Sequence, residues 1–179
     1  YGTSLFYPAT VMGSHVSATP NHQTGNITPI KFRFDMACAG RLGMELQPKQ
    51  MNAEEKAFAR KAIESYKGYR DIVMEGDLYR IGTPYDDTGY YGMMYVSKDK
   101  KKAVLFTYCI RYQSRTLIPK FRLHGLDAKT RYTVREQNTD KKRFWFDGGT
   151  FTGEYLNHAG INPNLNKIYD SAVFVLEAQ

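Results

Sequence analysis

The spacing of hydrophobic positions changes its period once along this chain, near Gly76. Before that point, short apolar runs alternate with stripes repeating every three to four residues. Thr10–Val16 is a strand candidate. Pro29–Ala39 reads as a helix, with Thr28 as its cap, Pro29 at the first helical position and Gly40 past its end. Leu42–Leu46 is the next strand. A long helix follows: Asn52 suits its cap, and Glu55 three residues on completes a capping-box pattern. Phe58, Ala59, Ala62, Ile63, Tyr66, Tyr69 and Val73 then form one amphipathic stripe. Gly68 inside it costs about 1 kcal/mol relative to alanine, so tertiary packing must hold the helix. Gly76 can end it. Strand–helix–strand–helix builds parallel sheets with helices outside, and two strands alone leave both sheet faces short of cover. Residues 1–76 therefore read as the closing portion of a larger α/β fold.

After Gly76 the period is two. In Ala103–Tyr112, Val104, Phe106, Tyr108, Ile110 and Tyr112 share one face, with Thr107, Cys109 and Arg111 on the other. Leu78–Ile81, Tyr90–Ser97, Lys120–Leu123, Tyr132–Glu136, Arg143–Phe146 and Ala172–Leu176 are further short strand candidates, separated by turns such as Asp147-Gly-Gly149 and Asn162-Pro-Asn-Leu-Asn166. This rhythm predicts an antiparallel β-sandwich over residues 77–179.

With 42% hydrophobic and 14% aromatic residues among 179, the chain can build a core and is not disordered. No apolar run approaches the ~20 residues of a membrane span, so no membrane partner is expected. No basic-then-apolar leader opens the sequence. Tyr1 is not an initiator methionine, so the expectation is of a chain that starts part-way into its protein. Cys38 and Cys109 are too few for a disulfide framework and read as free buried thiols. The net charge of +7 invites a nucleic-acid reading. The positive residues are scattered, however, and their densest cluster, Lys98-Asp-Lys-Lys-Lys102, sits between two apolar runs as a hairpin turn. No nucleic-acid partner is expected.

The candidate chemistry lies in Met12-Gly-Ser-His-Val-Ser-Ala-Thr-Pro-Asn-His-Gln-Thr-Gly25. A strand ends here in a polar loop and a helix follows, and in α/β enzymes such loops face the ligand. His15 closes the strand, and His22 and Gln23 lie in the loop. These three are candidates for binding substrate from the rim or for supporting a group that does; the alternative is that they only shape the loop through backbone hydrogen bonds. A metal site from His15 and His22 is not expected, because zinc wants three or four ligands and no further His or Cys stands at ligand spacing. Ser14 and His15 point to opposite faces of a strand and cannot form a nucleophile–base pair. Glu154, Asn157 and His158 read as a polar surface docking the second part on the first, or as a sugar-binding patch. Trp145, between Phe144 and Phe146, could stack on a sugar or fill the core. Asn26-Ile-Thr28 matches a glycosylation acceptor, discounted because Pro29 follows.

Five stretches resemble the C-terminal end of glycoside hydrolase family 36 α-galactosidases: Tyr1-Gly-Thr-Ser-Leu-Phe-Tyr-Pro8, Met12-Gly-Ser-His-Val-Ser17, Pro20-Asn-His-Gln-Thr-Gly25, Gly40-Arg-Leu-Gly-Met-Glu-Leu46 and Gly153-Glu-Tyr-Leu-Asn-His-Ala-Gly160. Asn26, where the resemblance implies Arg, and Cys38 in Met36-Ala-Cys-Ala-Gly40 depart from it. The resemblance implies that residues 1–76 are the last two strands and helices of a (β/α)8 barrel and residues 77–179 a C-terminal β-sandwich. It implies retaining hydrolysis of terminal α-galactosides in oligosaccharides by two aspartates, with no cofactor, in a homo-oligomer. The nucleophile's Lys-Trp-Asp motif is absent here, and the acid/base is expected before Tyr1, so no catalytic residue is assigned and the chain alone is expected to be inactive. Asp35, inside a predicted helix, is no substitute. A non-catalytic carbohydrate-binding or structural β-sandwich module is the alternative.

Overall fold

The computed structural model describes residues 1–112 and 117–179. Strands β1 (Gly13–Ser17) and β2 (Arg41–Glu45) pair in parallel, His15 opposite Gly43, as the strand–helix–strand pattern predicts. Helix α1 (Ile30–Ala37) makes the crossover. Its start differs from expectation: Pro29 occupies the cap position with no side-chain cap, and the Thr28 amide donates to Thr19 Oγ1 at 3.1 Å. A residue before proline is pushed away from helical backbone, so Thr28 belongs to the loop. Gly40 is required for closeness and not for a left-handed cap. A Cβ there would lie 3.0 Å from Ser14 Cβ and 3.1 Å from the Met12 carbonyl oxygen.

Helix α2 (Ala53–Glu75) begins with the full capping box: Asn52 Oδ1 accepts from the Glu55 amide at 2.8 Å, and Glu55 Oε2 accepts from the Asn52 amide at 3.2 Å. It buries Ala59, Ala62, Tyr66, Tyr69, Ile72 and Val73. Near its start it packs with Phe34 and Ala37 of α1 over Val16 of β1, a small core of its own. Among the described residues β1 and β2 pair only with each other, while Gly13 and His15 stay exposed.

Beyond α2, β3 (Asp77–Gly82), β4 (Tyr90–Val96), β5 (Lys102–Cys109), β6 (Arg131–Gln137), β7 (Thr150–Thr152) and β8 (Asp170–Ala178) form one antiparallel sheet in the order β3-β4-β5-β8-β6-β7. Lys98–Lys102 is indeed the β4–β5 hairpin turn, with Lys100 at φ 58°. The antiparallel expectation holds, but the layer facing this sheet is not built as a second sheet among the described residues. Lys120–Leu123 makes a single bridge, Phe121 to Ile161. Arg143–Phe146 runs into a turn, because Gly148 at φ 78° turns the chain back and its amide bonds the Val134 carbonyl. Helix α3 (Gly153–His158) completes this layer, capped by Thr152 Oγ1, which accepts from the Tyr155 amide at 3.2 Å.

Both faces of the sheet are therefore covered. On one, Val104, Phe106 and Tyr108 of β5 meet Tyr66, Tyr69 and Val73 of α2 and Phe32 of α1. On the other, Leu105 and Cys109 meet Leu123, Phe146 and Leu156. Burial on both sides explains why Tyr90–Val96 is apolar almost without alternation. It also corrects one expectation: α3, carrying Glu154, Asn157 and His158, lies across the sheet from α1 and α2 and does not dock against them.

Tyrosine hydroxyls tie the segment from α1 to β2 to its surroundings. Tyr108 Oη donates to the Asp35 carbonyl at 2.9 Å, Tyr95 Oη to Ala39 at 2.7 Å and Tyr66 Oη to Gly40 at 2.8 Å. The Asp35 carboxylate, fully buried, accepts from Lys31 Nζ (2.6 Å), Asn138 Nδ2 (2.8 Å) and Ser171 Oγ (2.7 Å). Glu136, whose side chain is also sealed, pairs with Arg143 at 2.9 Å. Burial pushes its carboxyl up to about 7 in spite of Arg143 and Lys31.

Candidate functional site

The Ser17 carbonyl ends β1, and the loop to α1 folds back on itself. Asn21 Oδ1 accepts from the Gln23 and Thr24 amides, both at 3.0 Å, the Gly25 amide bonds the Asn21 carbonyl at 2.8 Å, and the Asn21 amide bonds the Asn26 carbonyl at 2.9 Å. Asn and Gly are suited to such turns, Gly25 at φ 69° most plainly. Between this loop, the end of β1 and the start of α1 lies a groove of about 390 Å³, lined by His15, Ser17, Asn21, Gln23, Asn26 and Arg33 among others. It opens at the C-terminal end of β1, the parallel partner of β2.

His15 and Gln23 are thus brought together at this groove, while His22 stands exposed in the loop and does not line it. Glu45 Oε2 of β2 lies 2.6 Å from His15 Nε2, both side chains being largely exposed. Asn26, the departure from the resemblance, is on the groove wall. The lining offers amides, hydroxyls, the His15 imidazole and the donor-only Arg33 guanidinium, and no carboxylate. Such a wall can hydrogen-bond a hydroxyl-rich ligand and does not by itself supply a pair of carboxylates. Asp35, buried and saturated by three donors, is closed to any ligand. Among the described residues no group of three or more His, Cys, Asp or Glu is placed to hold a metal ion.

Sequence reasoning passed over Arg33 and Glu45. Glu45 carries a signal in hindsight, since an acidic side chain two residues beyond the register partner of His15 reaches it diagonally. Arg33 carries none, because its partners are distant in sequence.

Two family models account for most of the chain: Melibiase matches residues 1–76, and the glycosyl hydrolase family 36 C-terminal domain matches residues 90–176. The chain belongs to glycoside hydrolase family 36. Within the family it is similar to a probable alpha-galactosidase G of Aspergillus terreus, 36% identical over 99% of this chain and 23% of that protein. Alpha-galactosidase 2 of Hypocrea jecorina is 37% identical over 100% of this chain and 22% of that protein. Of solved family 36 structures, the alpha-galactosidase AgaA of Geobacillus stearothermophilus superposes on the whole chain with a TM-score of 0.89 at 30% identity, covering 23% of AgaA. The galactosidase domain of the alpha-galactosidase-sucrose kinase AgaSK superposes with a TM-score of 0.88 at 34% identity, covering 24% of that domain. The chain spans less than a quarter of the length of the curated relatives named here. It corresponds to the C-terminal part of family 36 α-galactosidases.

Proposed function

We propose that this chain is the C-terminal part of a retaining α-galactosidase that releases terminal α-galactose from oligosaccharides. The observation that carries the reading is the groove at the C-terminal end of β1, which pairs in parallel with β2. Enzymes built on (β/α)8 barrels place their sites there, and the open edges of this strand pair are what the last two strands of such a barrel present when its other strands are not beside them. On this reading residues 1–76 supply the last two barrel strands with their helices, and residues 77–179 form the C-terminal β-sandwich, its second layer largely irregular. His15, His22 and Gln23 sit at the rim of the sugar site: His15, beside Glu45, and Gln23 offer hydrogen bonds to sugar hydroxyls, and His22 reaches toward the outer end of an oligosaccharide. Similarity to a Geobacillus enzyme solved in complex with raffinose supports that substrate class.

Retaining chemistry needs one carboxylate to attack the anomeric carbon and another, about 5 Å away, to protonate the leaving oxygen. The groove lining supplies neither. The purified 179-residue chain is therefore expected to leave a chromogenic α-galactoside untouched, and the longer polypeptide that carries it to hydrolyse the same compound with retention at the anomeric carbon. Turnover by the 179 residues alone, or none by the longer polypeptide, would overturn the reading. A self-associating parent, like many oligomeric enzymes, is part of the same proposal and is tested by sedimentation. One observation favours the second reading, a non-catalytic carbohydrate-binding module: Trp145 is 73% exposed, with Phe151 edge-on to it and Tyr155 stacked on Phe151. Trp145→Ala should then weaken retention on immobilised galactoside, whereas the α-galactosidase reading expects no change.

A further inference from the structure

Arg33 joins the loop of the groove to the start of α2. Its side chain is nine-tenths buried. Nη1 donates to the Ser17 carbonyl at 2.8 Å, where the loop leaves β1, and Nη2 donates to Glu55 Oε1 at 3.3 Å. The other oxygen of Glu55 is the one that caps α2 by accepting from the Asn52 amide. One carboxylate therefore closes the helix cap and holds the arginine at the same time. Arg33 also forms a shared wall: it borders the groove on one side and, on the other, a small cleft with Ala18, Thr19, Gln50 and Glu55.

Two features separate this arrangement from ordinary packing. The guanidinium is a planar fork, so fixing one arm on Glu55 fixes the height and direction of the other arm, and with it the Ser17 carbonyl. Arg33 Nε, moreover, is buried without any partner. A buried donor left unpaired carries a cost that the two Nη bonds must offset. The loop beyond Ser17 is closed by its own hydrogen bonds, including Thr28 amide to Thr19 Oγ1, and its first tie to the rest of the chain is the Arg33 bond at the Ser17 carbonyl.

We infer that Arg33 is a positioning residue for sugar binding: through Ser17 it sets where Asn21 and Gln23 stand relative to His15, with Glu55 as its anchor. This deepens, and rests on, the α-galactosidase reading. A displaced loop weakens hydrogen bonds to the bound sugar in ground state and transition state alike, so the loss should fall on KM.

The test compares Arg33→Met, Arg33→Lys and Glu55→Gln with the parent in the longer polypeptide that carries this chain. Kinetics on a chromogenic α-galactoside are paired with hydrogen exchange of the residue 18–28 amides. Arg33→Met should raise KM about tenfold with kcat changed less than about threefold, and speed exchange in the loop while the β4 and β5 amides keep theirs. Arg33→Lys, a point charge without the fork, should not restore KM. Glu55→Gln, which keeps one acceptor oxygen and sets its NH2 against the other donor, should raise KM in the same direction by a smaller factor. Tyr90→Phe, which loses the buried bond to the Leu165 carbonyl on the opposite face of the sheet, serves as a destabilised control and should leave KM alone. Unchanged KM and unchanged loop exchange in Arg33→Met, a KM rise equalled in Tyr90→Phe, or full rescue by Lys would overturn the inference. A parent without turnover overturns the α-galactosidase reading instead, and loop exchange then decides the role of Arg33 by itself.

Discussion

Two glycine-to-alanine substitutions in and just after α2 should change stability with opposite signs. Gly68 lies in the helix interior on its exposed side, and a Cβ built there meets no atom within 4 Å. Alanine removes the propensity cost of glycine and narrows the unfolded ensemble, together about 1 kcal/mol in favour of the fold. For a chain of this length that raises the thermal midpoint by about 2–4 °C. Gly76 closes the same helix, but a Cβ there would stand 2.4 Å from the Ile72 carbonyl oxygen and 2.8 Å from that of Val96. Carbon and oxygen need about 3.3 Å, and both obstacles are backbone, so α2 or β4 must move by the better part of an ångström. The Gly76 amide bond to Ile72 at 2.9 Å is then strained, and a loss of about 2–3 kcal/mol follows. Urea and thermal unfolding of both variants, followed by circular dichroism, measure the two signs directly. A neutral or destabilised Gly68→Ala would show that propensity does not limit α2. A Gly76→Ala variant as stable as the parent would refute the close-approach argument.

Asp35→Asn should cost about 3 kcal/mol, because it removes the charge facing Lys31 and sets an amide against three donors, and it should leave any galactosidase activity of correctly folded protein intact; denaturant unfolding checks the first and active-site-normalised kinetics the second. Glu136 keeps its proton up to about pH 7 when folded and to about 4.5 when unfolded. The stability it contributes is thus complete below pH 4.5 and lost as pH rises through 7, about 3 kcal/mol in all, and Glu136→Gln should flatten that part of the pH–stability curve measured by urea unfolding. Burial pushes the Cys38 thiol up to about 12, so mass spectrometry after iodoacetamide treatment at pH 8 should find native Cys38 unlabelled and urea-unfolded Cys38 labelled.

The elements read correctly from sequence are those whose causes are local. The Asn52–Glu55 box lies within four residues, and the stripe from Ala59 to Val73 needs only helical periodicity. The β4–β5 hairpin follows from two apolar runs around Lys98–Lys102. Arg143–Phe146 alternates like a strand, yet its fate depends on Gly148 meeting Val134 across the sheet, which no window of sequence contains. Helix α3 is too short for a period to register, and Thr152 was its one signal. At the groove, the motif that holds His15 and Gln23 was legible, because a strand, a polar loop and a helix follow one another. Arg33 was not, since its position depends on residues 17 and 55 arriving from either side of it.

The tyrosine hydroxyls on the Asp35, Ala39 and Gly40 carbonyls have a practical consequence for anyone building chimeras in this family. Tyr95 and Tyr108 come from the sheet, and the carbonyls they hold belong to the piece of chain that delivers β2 to the groove. The sheet is thus a jig for the strand pair, while its far side carries α3 and the irregular layer on a core of its own. A swap that cuts at Gly76 separates the jig from its workpiece. An incoming sheet with phenylalanine at both positions would still cover the helices with oil, yet leave β2 without a stop to rest against.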